Sequence, residues 1–261
     1  MNRQTIKRIA VLVSIGRHPV SGVPRYSRND AAALGLASEL ILRMAGATVD
    51  VIHAGPADNP ALAEYLALGA SRISVVEMAN AQDVLPALQE QLQAYDLVLC
   101  GSRAESGEAS GMLPYQLAAR LNLPLLAGVI AVTPGSDTIV AQQFLPKGRR
   151  REVGLQLPAL LTVHPLAPSR LRYAYARLHS GQIIKRLFPA TAGVSAQAWT
   201  VEAAKAKPRK LAAPEKRSGH ARMQAATVAE SRGGKVVHEG TAADKAQVVL
   251  TYLREHHLVD Y

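Results

Sequence analysis

The chain is poor in the residues that staple, ligate or stack. Its 261 residues include one cysteine, which excludes an internal disulfide and fits a reducing compartment. That residue, Cys100, closes an apolar run, where a small buried side chain is expected rather than a redox group. The eight histidines show no metal-ligand spacing, and His256 and His257, being adjacent, leave a helix on different sides. Aromatic residues make up 4% of the chain, with a single tryptophan, so cations are not interleaved with stacking rings as single-strand binding requires. No apolar stretch reaches the length of about 18 residues that a membrane span needs. The opening MNRQTIKRIAVLVSIG has the basic-then-apolar order of a secretory signal. Its apolar run is short and β-branched, and no small-residue cleavage site follows, so it reads as the first strand of a cytoplasmic protein. Neither GxGxxG nor GxxxxGK[ST] occurs. No nucleophile–base pattern stands out, which leaves no catalytic residue to name. Glu105 and Glu108 admit an acid–base pairing or a capping role.

Charge is plentiful but uneven. The net charge is +10. Residues 1–164 are close to neutral, with fourteen Lys/Arg against thirteen Asp/Glu. Residues 165–235 hold fourteen basic and three acidic residues, and residues 236–261 hold two and four. Basicity therefore belongs to one segment and says little about a folded core. Such a segment suits nucleic acid, an anionic membrane or an acidic protein face, and the lack of aromatics argues against the first.

From residue 9 to 163 apolar runs alternate with Ala/Leu-rich segments. Ile9–Ile15, Val49–His53, Ile73–Val76, Asp96–Cys100 and Leu125–Val129 read as strands. Asp30–Met44, with a cap at Asn29 or Asp30, Asn59–Leu68 and Ala81–Gln93 read as helices. Alternation of this kind implies right-handed crossovers and an α/β fold: a mainly parallel, Rossmann-like sheet flanked by helices. Ser136–Gln143 and Glu152–Gln156 add a hairpin, and Pro158–Val163 a further strand. Residues 165–231 form a basic extended arm, and 232–261 a short strand at Lys235–Val237 and a helix over Asp244–His256. The domains expected are thus an α/β nucleotide-binding core over 1–164, the arm, and a C-terminal docking segment.

Ligands of such sheets bind beyond the carboxyl ends of the strands. Here those ends are small: Ser14-Ile15-Gly16, Ala54-Gly55-Pro56 and Gly101-Ser102. The stretch GSRAESGEASGMLPYQLAARLNLP, 101–124, is strand end, small-residue loop and helix start. A loop so free of bulk lets backbone N–H groups approach a phosphate at the helix N-terminus, although the same sequence also suits a plain βα turn.

These landmarks, in order, resemble the beta subunit of electron transfer flavoproteins. LAEYLALGASRISVV at 62–76, YDLVLCGSRAESGE at 95–108, LPALLTV at 157–163, Leu171-Arg172-Tyr173-Ala174 and RGGKVVHEG before the last helix carry the likeness. The resemblance covers about residues 9–178 and returns at 232–259. It implies a heterodimer with an alpha subunit that holds most of a shared FAD. It implies electrons taken from a flavin dehydrogenase and delivered to a membrane quinone oxidoreductase. It implies an adenine nucleotide in the beta subunit, AMP or in bifurcating relatives a second FAD. The nucleotide residues it implies are Ser14, Ser27, Asp30, Ala54, Gly107, Glu108, Ser110, Gly111 and Met112. Asp30 would accept from adenine or ribose, and Ser110 and Gly111 would donate to phosphate. For partner docking it implies Tyr173, Tyr175, Arg177 and Leu178. No metal is implied.

The chain departs from that pattern at Gly16, where the family tends to have a lysine nearby, at Ser27-Arg28-Asn29, and at Met112. Its hairpin turn is basic, Lys147-Gly148-Arg149-Arg150-Arg151, which reads as a solvated turn or as a patch for an acidic partner. Two other classes compete with a redox carrier: a nucleotide-binding sensor or regulatory module without electron transfer, and a nucleic-acid binder using the arm.

Overall fold

In a computed structural model the described residues are 6–44, 46–78, 83–105, 109–135, 137–188, 218–220, 223, 236–256 and 258–259. The chain divides into two compact units, Met1–Trp199 and Thr200–Tyr261. The first is built on a nine-stranded sheet in the order β11-β5-β4-β1-β6-β10-β7-β8-β9. The strands are β1 (Arg8–Leu12), β4 (Thr48–Gly55), β5 (Arg72–Glu77), β6 (Leu97–Gly101), β7 (Leu125–Pro134), β8 (Thr138–Phe144), β9 (Arg150–Gln156), β10 (Ala159–Val163) and β11 (Gln182–Leu187). From β11 to β7 every neighbouring pair is parallel, and β7–β8–β9 closes the sheet as an antiparallel extension. The expected α/β class, mainly parallel sheet and added hairpin are all present.

Alternation along the central strands sorts the core. Ile9, Val11, Val51, Leu97, Leu99 and Leu161 face α1 (Arg28–Arg43) and α2 (Ala63–Ala67). Ala10, Leu12, Ile52, Val98 and Leu160 face α3 (Leu85–Leu92) and α4 (Leu113–Leu121). Helix α1 buries Ala33, Leu36, Ala37 and Leu40, the three-to-four spacing of one helical face. Its cap is Ser27, whose hydroxyl accepts from Asp30 N, and not Asn29 or Asp30. Three capping residues stand almost in a row, and the choice is settled elsewhere. Asn29 Nδ2 donates to the Arg103 carbonyl, and Asp30 is drawn into the core.

Two short strands, β2 (Ile15–Arg17) and β3 (Pro24–Tyr26), pair antiparallel directly after β1 and were not legible in the sequence. Nor was β11, which pairs with β5 from Gln182↔Arg72 to Leu187↔Glu77 inside the stretch read as an extended arm. The edge strands β9 and β11 carry exposed Arg150, Arg151, Lys185 and Arg186, charges that discourage edge-to-edge pairing. In the second unit Val236 and Val237 belong to no strand, and Lys235 lies outside the described residues. Helix α5 (Ala242–Glu255) begins with a capping box in which the Thr241 and Asp244 side chains each take the other's backbone N–H.

Candidate functional site

The sheet switches direction between β1 and β6: β4 lies on one side of β1, and β6 on the other. At this point the carboxyl ends of parallel strands leave a crevice in folds of this class. The polypeptide fills its floor with a closed set of polar contacts. Asp30, 5% exposed, receives Ser14 N at 2.8 Å and Ser14 Oγ at 2.6 Å on one carboxylate oxygen. Its other oxygen receives Gly101 N at 3.1 Å. One side chain at the start of α1 thus ties the end of β1 to the end of β6. A side chain at position 101 would run into the Asp30 carboxylate and the Asn29 backbone, so only glycine allows the approach. Burial pushes the Asp30 carboxyl up to about 6, against the pull of the Ser14, Ser27 and Gly101 hydrogen bonds.

A second tie comes from α2. Fully buried Tyr65 accepts Ser27 N at 2.9 Å and donates its hydroxyl to the Ser14 carbonyl at 2.7 Å. Burial raises its pKa well above the usual phenol value. Glu64 Oε2 accepts Tyr26 N at 2.7 Å, fastening β3 to the same helix.

The third tie is Glu105, from the loop after β6. Its Oε1 accepts Arg28 N at 2.8 Å, and its Oε2 pairs with Arg25 Nη2 at 2.9 Å. This carboxylate caps the first turn of α1, where the helix dipole favours negative charge. The backbone leaves room for it at Gly16, where a Cβ would come within 2.5 Å of Glu105 Oε2. Two buried polar atoms have no hydrogen-bond partner among the described residues: Arg25 Nε and His53 Nε2.

Of the residues singled out from the sequence, Ser14, Ser27 and Asp30 meet around the start of α1, and Ala54 stands at the end of β4. Ser110, Gly111 and Met112 form a second group at the start of α4. Ser110 Oγ accepts Met112 N at 3.3 Å, Gly111 takes φ +74, and α4 has no side-chain cap. Gly107 and Glu108 lie outside the described residues. Tyr65, Glu105 and His53 complete the setting. Only Glu105 was weighed beforehand, and its partners are 77 and 80 positions away in sequence.

The stretch 173–178 lies against α2, the helix that carries Glu64 and Tyr65. A short 3-10 turn, Tyr175–His179, is held to α2 through Ala174 N on the Ala67 carbonyl at 2.9 Å. Tyr175 is 73% exposed and packs edge-on to His179, Tyr173 and Arg177 are exposed, and Leu178 is half-buried. At the hairpin tip, Arg150 lies over the Phe144 ring at 4.6 Å, Phe144 stacks on His164 at 4.0 Å, and Arg151 donates to Gln143 Oε1. Among the described residues no His, Cys, Asp and Glu cluster is arranged to hold a metal ion, and no helix is long and apolar enough to cross a membrane.

Two comparisons bear on this arrangement. A family model described as the electron transfer flavoprotein domain matches residues 25–182. The electron transfer flavoprotein subunit beta of Chromohalobacter salexigens is 38% identical over 258 residues, covering 96% of this chain and 95% of that protein. The chain belongs to the electron transfer flavoprotein family, on its beta-subunit side.

Proposed function

We propose that the chain is the beta subunit of a heterodimeric electron transfer flavoprotein, taking electrons from a flavin dehydrogenase and passing them through FAD to a membrane quinone oxidoreductase. The observation that carries this reading is the similarity to a beta subunit along nearly the whole chain. FAD shared with the alpha subunit supplies the redox chemistry. This chain supplies binding, position and electrostatics, and works as a cytoplasmic carrier subunit rather than as an enzyme in its own right.

The chain's own nucleotide, AMP or a second FAD, is assigned to the switch-point crevice. Three features support the fit. The strand ends are small, Gly111 is left-handed and brings no side chain into the loop, and α4 lacks a side-chain cap. Phosphate then belongs at the loop 107–112 and the α4 N-terminus, with Gly107, Glu108, Ser110, Gly111 and Met112 around it. The α1 N-terminus is served by Ser27 and Glu105 instead. Ser14, Ser27, Asp30 and Ala54 make the opposite wall, where Asp30 braces Ser14 and Gly101 from beneath. Residues 1–164 form the nucleotide core, 165–231 the basic arm and 232–261 the segment that docks on the alpha subunit. Tyr173, Tyr175, Arg177 and Leu178 face the electron donor.

Co-expression with a candidate alpha subunit tests the reading. The expected outcome is one co-eluting complex with a flavin absorption spectrum that a dehydrogenase bleaches. Separate elution, or a colourless complex, overturns it.

A further inference from the structure

The basic run Lys147-Gly148-Arg149-Arg150-Arg151 lies at the tip of the β8–β9 hairpin, with Lys147 and all three arginines exposed. The turn is tight. Lys147 and Gly148 take φ +60 and +74, and Leu145 N donates to the Arg149 carbonyl at 3.1 Å. Each arginine is braced by a neutral acceptor. Arg149 Nε donates to the Pro146 carbonyl at 3.4 Å, and Arg150 Nη1 to the Arg149 carbonyl at 2.8 Å. Arg151 Nε and Nη2 both donate to Gln143 Oε1, at 3.1 and 2.6 Å. Arg150 also lies over Phe144, whose ring stacks on His164.

None of this charge is neutralised among the described residues. The ion pairs there are made by Arg8, Arg25 and Arg72, and Glu152, the acidic residue of β9, stands opposite Gln142. A guanidinium held in place within its own fold loses less freedom on meeting a partner. Its free N–H groups match a carboxylate two at a time. Single-stranded nucleic acid asks for free aromatic rings, and the Phe144 ring is already occupied by a guanidinium and an imidazole. A bilayer attracts diffuse positive charge and asks for no fixed geometry. Braced arginines therefore suit an acidic protein face.

We propose that this hairpin tip docks the electron acceptor, with Arg149 and Arg150 seating carboxylates of an acidic face on that protein. This rests on the electron-carrier reading given above. Arg151, one position further along β9, leaves the strand on the other side and adds to the field. The place of the hairpin in the sheet separates it from the donor. The turn at 173–178 lies by α2 and the β5 edge, and β8 stands six places from β5 in the sheet order. Six strand spacings are about 29 Å. A standard interface of about 800 Å² per side is roughly 30 Å across, so one centred on the turn does not reach the hairpin. A permanent subunit contact is richer in apolar surface than this tip. Exposed charge of one sign suits a partner that comes and goes, because it speeds the encounter.

The test uses the complex with the alpha subunit and the quinone oxidoreductase that oxidises it, in detergent without a bilayer. The double variant Arg149→Glu/Arg150→Glu should lower the second-order rate of oxidation by that acceptor at least tenfold at low salt, and the loss should shrink as salt rises. Arg149→Lys/Arg150→Lys, which keeps the charge and loses the fork, should lose severalfold. Reduction by the dehydrogenase should stay within twofold of wild type, since the turn lies well beyond a Debye length of about 10 Å at 0.1 M salt. An unchanged acceptor rate, or an equal loss with the dehydrogenase, overturns the proposal. So does a loss seen only when phosphatidylglycerol vesicles are present, which assigns the tip to lipid headgroups. Loss of co-elution with the alpha subunit assigns it to that subunit and overturns the proposal too. A wild-type complex that carries no flavin overturns the electron-carrier reading itself.

Discussion

Asp30 shows how one residue can set the shape of a crevice floor. Three donors from two strand ends converge on a carboxylate that burial would rather protonate. The unfolded group titrates near 3.8 and the folded one near 6, so between those values the native state holds the extra proton. Stability contributed by Asp30 therefore falls as pH rises through that window. Asp30→Asn cannot titrate and places an amide donor among donors, so it should be less stable throughout. The gap between wild type and Asp30→Asn should shrink by roughly 2 to 3 kcal/mol from about pH 4 to pH 7. Urea unfolding across that range measures it, and a gap that widens with pH contradicts the assignment. Tyr65 is the companion case. Tyr65→Phe keeps the ring in the core but leaves Ser27 N and the Ser14 carbonyl without their partner. A loss of about 1 to 3 kcal/mol is expected, read as a lower urea midpoint with an unchanged slope.

Elements were legible where burial writes a period into the sequence. Strands β1, β4, β5, β6 and β10 are apolar runs because helices cover both faces, and α1 announces itself by its buried stripe. Strand β11 gave no such sign. Its residues Gln182–Leu187 are exposed save for half-buried Ile183, so backbone pairing along an edge holds it and no hydrophobic period marks it. The three-residue strands β2 and β3 are too short for a period at all. The small strand ends of the crevice could be read directly. The Glu105 cap on α1 could not, because nothing local links a loop glutamate to a helix start 77 positions earlier. The turn into α4 offers a test at this scale. Gly111 has φ +74, and a Cβ there would stand 3.0 Å from the Ser102 carbonyl. Gly111→Val puts a β-branched residue into left-handed backbone and pushes the loop off Ser102. Bound nucleotide, extracted and quantified by chromatography, should fall severalfold while the core stays folded. Retention equal to wild type would detach this loop from phosphate binding.

At the scale of the whole molecule the charge is segregated. The core through residue 164 is near neutral, and the excess positive charge lies in 165–235. Helix α5 caps itself and buries no residue, with Val249 and Tyr252 exposed. We propose this helix as part of the segment that meets the alpha subunit. Deleting 232–261 should abolish co-elution with the alpha subunit and leave 1–164 folded by circular dichroism; a truncated chain that still co-elutes contradicts this. Donor docking is proposed for the turn at 173–178, which is hydrogen-bonded to α2 while Tyr175 projects into solvent. Interface energy concentrates on aromatic and arginine side chains, and Tyr175 and Arg177 are both exposed in this turn. Neighbouring positive charge mainly raises the association rate and makes it sensitive to salt. Tyr175→Ala should therefore slow flavin reduction by the cognate dehydrogenase by tenfold or more, about the effect of losing 1.4 kcal/mol of transition-state or binding energy. Flavin content and the flavin spectrum should be unchanged, because the turn is proposed for docking and not for cofactor retention. Stopped-flow reduction at several salt concentrations separates the two contributions: the variant should lose rate at every salt concentration, while the salt slope, set by the surrounding cations, persists. Equal rates for variant and wild type, with no dependence on salt, would return Tyr175 to the ordinary exposed surface.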